Sequence, residues 1–159
     1  MVAIINDKIK ELYVRFGVAK LFIAICIIFY LLTLLFSIVL GDYSVALVAL
    51  GGNFIPLVLE GEVQRFLMSA FLHGSIIHLV INMLALNSFG TLVERFYGAR
   101  KFLITFVLTA ISASIVSMIA HLIGAYAASE STFSVSIGAS GALFGLVGLI
   151  IGNKFKDAT

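Results

Sequence analysis

Charge is what this sequence is short of. Asp, Glu, Lys and Arg make up 11% of its 159 residues, against about 25% in soluble domains, while 62% are hydrophobic. A soluble chain of this size could not cover so much apolar surface. The net charge of +2 is small and sits in short clusters rather than a stripe, which argues against a nucleic-acid partner. Cysteine is nearly absent. The one thiol, Cys26, forms no internal disulfide and has no charged sequence neighbour to activate it, so it is expected to be packing. Internal repeats, low-complexity tracts and a second domain are also missing, so residues 1–159 read as one membrane domain.

What is present is a set of uncharged runs of about 20 residues, the length of helix that crosses a bilayer core. The spacing predicts four spans, at roughly 20–40, 66–90, 101–125 and 138–153. The first, "LFIAICIIFYLLTLLFSIVL", is too long for a signal-peptide core and no small-residue cleavage site follows it. Its β-branched and aromatic residues do not argue for strand, because in lipid a helix satisfies its own backbone groups. The expected class is therefore all-α, a polytopic bundle.

Basic residues orient it. Lys8, Lys10, Arg15 and Lys20 precede the first span, Arg95, Arg100 and Lys101 lie between the second and third, and Lys154 and Lys156 follow the fourth. The opposite side holds Asp42, Glu60, Glu62 and Glu130, with Arg65 as its only base. The N terminus is thus expected in the cytosol, and so is the end of the fourth span. The connection at 41–64 is too apolar for a loop in water and is expected to lie in the outer interface.

Polar groups inside spans are costly and point to function. The second span carries His73, Ser75, His78 and Asn82. His78 and Asn82 are four apart and share a helix face. His73, five before His78, falls on a different side if the helix is already regular there. Hydrogen-bonded glue between helices explains such residues, and so does a pair of donors for a developing oxyanion. A zinc site is disfavoured, since no His-x-x-x-His, carboxylate or second cysteine accompanies them.

The fourth span begins "GASGALFG". Gly141, Gly145, Gly148 and Gly152 form one stripe that lets helix backbones approach closely. Ser140 precedes it, at a helix N-terminus where free N–H groups favour negative charge. It is either an N-cap or a nucleophile with part of an oxyanion site already beside it.

"FLHGSIIHLVINML" followed by "GASGALFG" resembles the rhomboid family of intramembrane serine proteases, from about Gly61 to the end of the fourth span. The resemblance implies that Ser140, between Gly138 and Gly141, is the nucleophile. It implies that His78 and Asn82, with the Ser140 N–H, form the oxyanion hole, and that His73 supports the site's hydrogen bonding. It implies a membrane-embedded outer loop at 41–64, in which Gln64-Arg65 keeps the Arg of the family's Trp-Arg and lacks the Trp. Glu94-Arg95 followed by Gly98 resembles the family's cytosolic turn. No metal or organic cofactor is implied, and the partners are the lipid bilayer and transmembrane protein substrates, with no nucleic acid.

The family draws its base from a sixth-span histidine, and no position of this sequence matches it. His121, the remaining histidine, has no such role in the pattern. The chain is therefore expected to be four of six spans, inactive without the spans that complete it. The location expected is the plasma membrane, with the site open to the outer side. Two alternatives remain: a non-proteolytic relative that binds membrane clients, and a fragment of a channel or transporter.

Overall fold

The computed structural model describes the backbone of residues 2–128 and 134–156 and the side chains of residues 17–126 and 134–152. Glu130, one of the charges used for orientation, lies outside the described residues, as do the side chains of Lys8, Lys10, Arg15, Lys154 and Lys156. The described residues are helical throughout, apart from turns and a single antiparallel bridge between Asn53 and Ser136. The elements are α1 (Val2–Leu40), α2 (Tyr43–Ala49), α3 (Ile55–Leu59), α4 (Arg65–Met68), α5 (Ile76–Ala85), α6 (Thr91–Ala128) and α7 (Ser140–Lys156). A 3-10 turn over Ser69–Phe71 follows α4, and a π-helical turn over Leu86–Gly90 joins α5 to α6.

The all-α bundle is as expected, but the second span is not where its hydropathy put it. Residues 66–75 do not belong to the spanning helix. The chain becomes extended at Leu72 (φ −92°, ψ 147°) and again at Ser75 (φ −158°, ψ 162°). Ser75 then caps α5 by accepting from the His78 N–H at 3.2 Å. At its other end the helix runs past residue 90 and breaks at Gly98 (φ 80°, ψ 159°). That backbone conformation is essentially restricted to glycine. The expected 91–100 loop is thus a helix end and a one-residue break, after which the chain returns along itself. Phe102 reaches Gly90, and the Ser114 hydroxyl lies 3.2 Å from that of Ser69.

Gly17–Leu40 is long and apolar enough to cross a bilayer core, and Ile76–Tyr126, broken at Gly98, is long enough to do so twice. The apolar segment Ser140–Gly152 of α7 is shorter. Seventeen residues of α7 reach about 26 Å. Leu21, Ile38, Ile77, Ile81, Leu108 and Phe144 are among the large apolar side chains left outward, where a bilayer solvates them.

Phe22 of α1, partly buried, packs against the core edge-on to Phe71 (5.4 Å), Phe102 (5.5 Å) and Phe106 (4.8 Å). Cys26 is fully buried in the same cluster. Small residues bring α7 onto α6: a Cβ on Gly141 would strike Ala113, and one on Gly145 would strike Thr109. The glycine stripe is therefore divided, because Gly148 and Gly152 meet nothing within 4 Å.

α1 is held to α6 by a charge. Glu94 accepts from the Val18 N–H (2.7 Å) and the Ala19 N–H (3.1 Å), satisfying donors freed where Gly17 (φ 64°, ψ 165°) interrupts the helix. A Cβ at Gly17 would lie 2.7 Å from Glu94 Oε2. Gly17→Ala is therefore expected to lower stability by about 2 kcal/mol, from a glycine-only backbone and a displaced cap. Reversible unfolding in mild detergent measures it, and a change under about 0.5 kcal/mol would mean that the clamp contributes little.

Candidate active site

The loop at 41–64 packs as well as floats. Ala46, Leu47, Ile55 and Val58 are buried, while Val45, Leu59 and Val63 face outward, so only part of the apolar surface at 41–64 is left for lipid. Arg65 fastens it. Its guanidinium, 6% exposed, donates to the carbonyls of Val48 (2.6 Å) and Gly52 (3.0 Å) and pairs with Glu62 (2.7 Å).

From that loop Asn53 reaches the segment before α7. Its backbone exchanges two hydrogen bonds with Ser136 (3.1 and 3.0 Å), and its amide nitrogen donates to the carbonyl and hydroxyl of Ser114 (3.0 and 2.8 Å). The Ser117 and Ser136 hydroxyls are 2.8 Å apart. These contacts, with Gly138 N–H donating to Ser69 O at 2.9 Å, fix the approach to Ser140 from three sides. None of this serine set was expected from the sequence. The available signal was Ser114 and Ser117, hydroxyls three apart and so on one helix face of the third span.

α7 starts at Ser140, so the cap position belongs to Ala139, whose carbonyl accepts from Leu143 N–H (3.0 Å). Ala139 has no hydrogen-bonding side chain, and the N-cap alternative for Ser140 loses its geometry. Ser140 is instead exposed on a cavity of about 220 Å³, shared with Ser69, Ser114, Ser117, Ser136 and Gly138. Gly138 (φ +113°) brings the second span in: a Cβ there would lie 2.7 Å from both Cε1 and Nε2 of His78. Thus His78 and the Gly138–Gly141 turn meet. Asn82, one turn below, is buried and gives one amide hydrogen to the His78 carbonyl at 2.9 Å.

His73 joins His78, ring to ring at 5.1 Å and 63°. It does so because residues 72–75 are not helical, which cancels the offset a regular helix would impose. Tyr43 donates to the His73 carbonyl at 2.8 Å. Ahead of the spanning helix, burial first and His78 second push the His73 imidazole down to about 4, so it is neutral at neutral pH. A carbonyl can only accept, so the contact with Phe71 O (3.3 Å) places the proton on Nδ1. Nε2 is then a buried acceptor without a partner among the described residues. His121 lies apart. It bonds Ser117 O of its own helix (2.8 Å) and lines a different, shallow cavity with Ala120, Gly124 and Ala125.

Comparison with known proteins identifies the family. A family model described as the Rhomboid domain matches residues 60–158. Rhomboid protease GluP of Bacillus subtilis is 40% identical over 107 residues, covering 66% of this chain and 18% of its own length. Rhomboid-like protease 1 of Toxoplasma gondii is 32% identical over 148 residues, 90% of this chain and 47% of its own. Rhomboid protease AarA of Providencia stuartii is 30% identical over 122 residues, 74% and 43% respectively. The chain thus spans less than half the length of each of these relatives. With a helical membrane bundle and a family model covering most of the chain, this membrane protein belongs to the rhomboid family.

Proposed function

We propose that residues 1–159 are a single unit carrying the nucleophile and oxyanion-hole half of an intramembrane serine endopeptidase, with the general base supplied from outside this sequence. The observation that carries the reading is the meeting of Gly138 with the His78 imidazole, two residues from a serine that opens both a helix and a cavity. Ser140 Oγ attacks the scissile carbonyl of a substrate's transmembrane segment while the base takes its proton. The carbonyl oxygen becomes an oxyanion, which accepts hydrogen bonds from Ser140 N–H, an imidazole N–H of His78 and the second amide hydrogen of Asn82. The intermediate collapses, the amine leaves with a proton from the base, and water then hydrolyses the acyl-serine. His73 is a positioning residue, its ring against that of His78. Gly141 lets α7 lie close to α6 so that Ser140 stays at this depth.

The basic clusters favour a plasma-membrane protein with its N terminus in the cytosol. The site then opens to the outer side, where water reaches the serine cavity. Neither the client-binding nor the channel reading gives the Gly138–Gly141 turn a reason to meet the His78 imidazole.

A fluorophosphonate probe applied to the protein in its own membranes tests this. The expected result is covalent labelling at Ser140, abolished in Ser140→Ala and slowed about 100-fold in Asn82→Ala, the scale of one oxyanion donor. Absent labelling, or labelling that survives Ser140→Ala, would reject the protease reading.

A further inference from the structure

Residues 2–16 form the part of α1 that precedes its break, and they are not a continuation of the span. Gly17 (φ 64°, ψ 165°) turns the chain out of the helix axis. The Glu94 clamp on Val18 and Ala19 fixes where the spanning part begins. The preceding helix therefore meets the spanning part at a one-residue break.

Its sequence has a distinct pattern. At 3.6 residues per turn, Val2, Ile5, Ile9, Leu12, Tyr13 and Phe16 share one face. Lys8 and Arg15 border that face on one edge and Lys10 on the other, while Asp7 and Glu11 lie at the opposite pole. Ile4 and Val14 are the larger apolar residues outside the arc. A spanning helix would be apolar all round, and a helix with water on every side gains nothing from gathering six apolar positions on one face. Cations at the two edges of the arc and acids at the far pole are the sequence pattern of a helix that lies flat in a headgroup layer.

We infer that residues 2–16 dock in the plane of the membrane, on the anionic headgroup surface from which the first span departs, with the Ile5–Ile9–Leu12–Phe16 face toward the acyl chains. The inference needs the chain to be a membrane protein and does not depend on the proteolytic reading. Gly17 then serves as the elbow between an in-plane and a through-plane helix. Its docked arm adds a second boundary anchor to α1, beyond the Glu94 clamp.

The test uses the full chain in vesicles of phosphatidylcholine with about one quarter phosphatidylglycerol, an anionic lipid of the kind that attracts juxtamembrane Lys and Arg. Nitroxides are placed singly from residue 4 to residue 16 in a Cys26→Ala background. Relaxation by dissolved oxygen and by a water-soluble nickel chelate reports depth. The expected result is a helical period in which oxygen access peaks at 5, 9, 12 and 16 and nickel access peaks at 7 and 11. Ile9→Asp combined with Leu12→Asp should raise nickel access at residue 5 about tenfold, with α1 still spanning, since a mid-face charge opposes interfacial burial. High nickel access at every position would overturn the inference. So would shielding of 5, 9 and 12 from both reagents, which would mean that protein, from this chain, a second copy or another partner, covers the face. None of these readings involves Ser140, so failure here and failure of the protease assignment remain distinct.

Discussion

Gly138→Ala will do more damage than its one added carbon suggests. Gly138 holds φ +113°, where a side-chain-bearing residue carries a cost of about 1–3 kcal/mol. The new Cβ would also sit 2.7 Å from two atoms of the His78 ring. Relief by a backbone shift is hindered, because the Gly138 N–H is tied to Ser69 O at 2.9 Å and Ser136, two residues earlier, is tied to Asn53. The imidazole must therefore move. We expect a stability loss of about 3 kcal/mol and, if His78 is an oxyanion donor, a fall in Ser140 labelling of about 100-fold or more. Gly148→Ala is the control, since a Cβ there meets nothing within 4 Å and alanine favours a helix over glycine by about 1 kcal/mol. Unfolding in mild detergent and probe labelling in native membranes give the two readouts. Stability lost with labelling intact would separate His78 from the chemistry. Equal effects at 138 and 148 would remove the steric argument altogether.

Arg65→Leu should be comparably severe for a different reason. The guanidinium is the donor to the Gly52 carbonyl and a second donor to that of Val48, which also accepts from the Gly51 N–H at 3.2 Å. Leucine fills the space and donates to neither. A buried carbonyl left without a donor costs about 1–3 kcal/mol, and the weakened Val48 contact adds to it, so we expect a loss of about 3 kcal/mol in detergent unfolding. The Glu62 side chain is 41% exposed, so its ion pair adds little to that figure. Two controls divide the terms. Glu62→Gln should cost under about 1 kcal/mol, and Arg65→Lys should recover only part of the loss, because an ammonium lacks the planar fork that serves both carbonyls. A loss at Glu62 equal to that at Arg65 would mean the ion pair, not the carbonyl clasp, holds the loop.

Charge and hydropathy made the bundle legible, because a lipid solvent leaves few alternatives to helix. The expected stretches 20–40 and 138–153 lie within about three residues of the Gly17–Leu40 part of α1 and of α7, an ordinary margin for helix boundaries. The start of the second span was not legible from hydropathy. Residues 66–72 are apolar and locally helical, yet they are a turn beside the bundle. The local signal was Ser75, a side-chain cap three residues before the N–H it accepts. Glu94 clamping Val18, 76 positions away, is the kind of contact that no local pattern carries. The pairing of His73 with His78 was hidden by the same extended stretch that hid the span boundary. Gly138 was visible as a glycine of a motif, but its role depends on where another helix puts an imidazole.

The Asn53–Ser136 bridge bears on the order in which the site can be assembled during synthesis. Asn53 leaves the ribosome 136 − 53 = 83 residues before its partner, roughly 4–16 s at cellular elongation rates. Throughout that interval its main-chain N–H and carbonyl lack the strand that will bury them, so they must remain hydrated. The 41–64 loop therefore waits in contact with water while the two long helical segments on either side of Gly98 are made, and it closes when the segment before α7 arrives. The cavity beside Ser140 is thus among the last parts of the chain to take shape, and the nascent protein carries no formed pocket until it does.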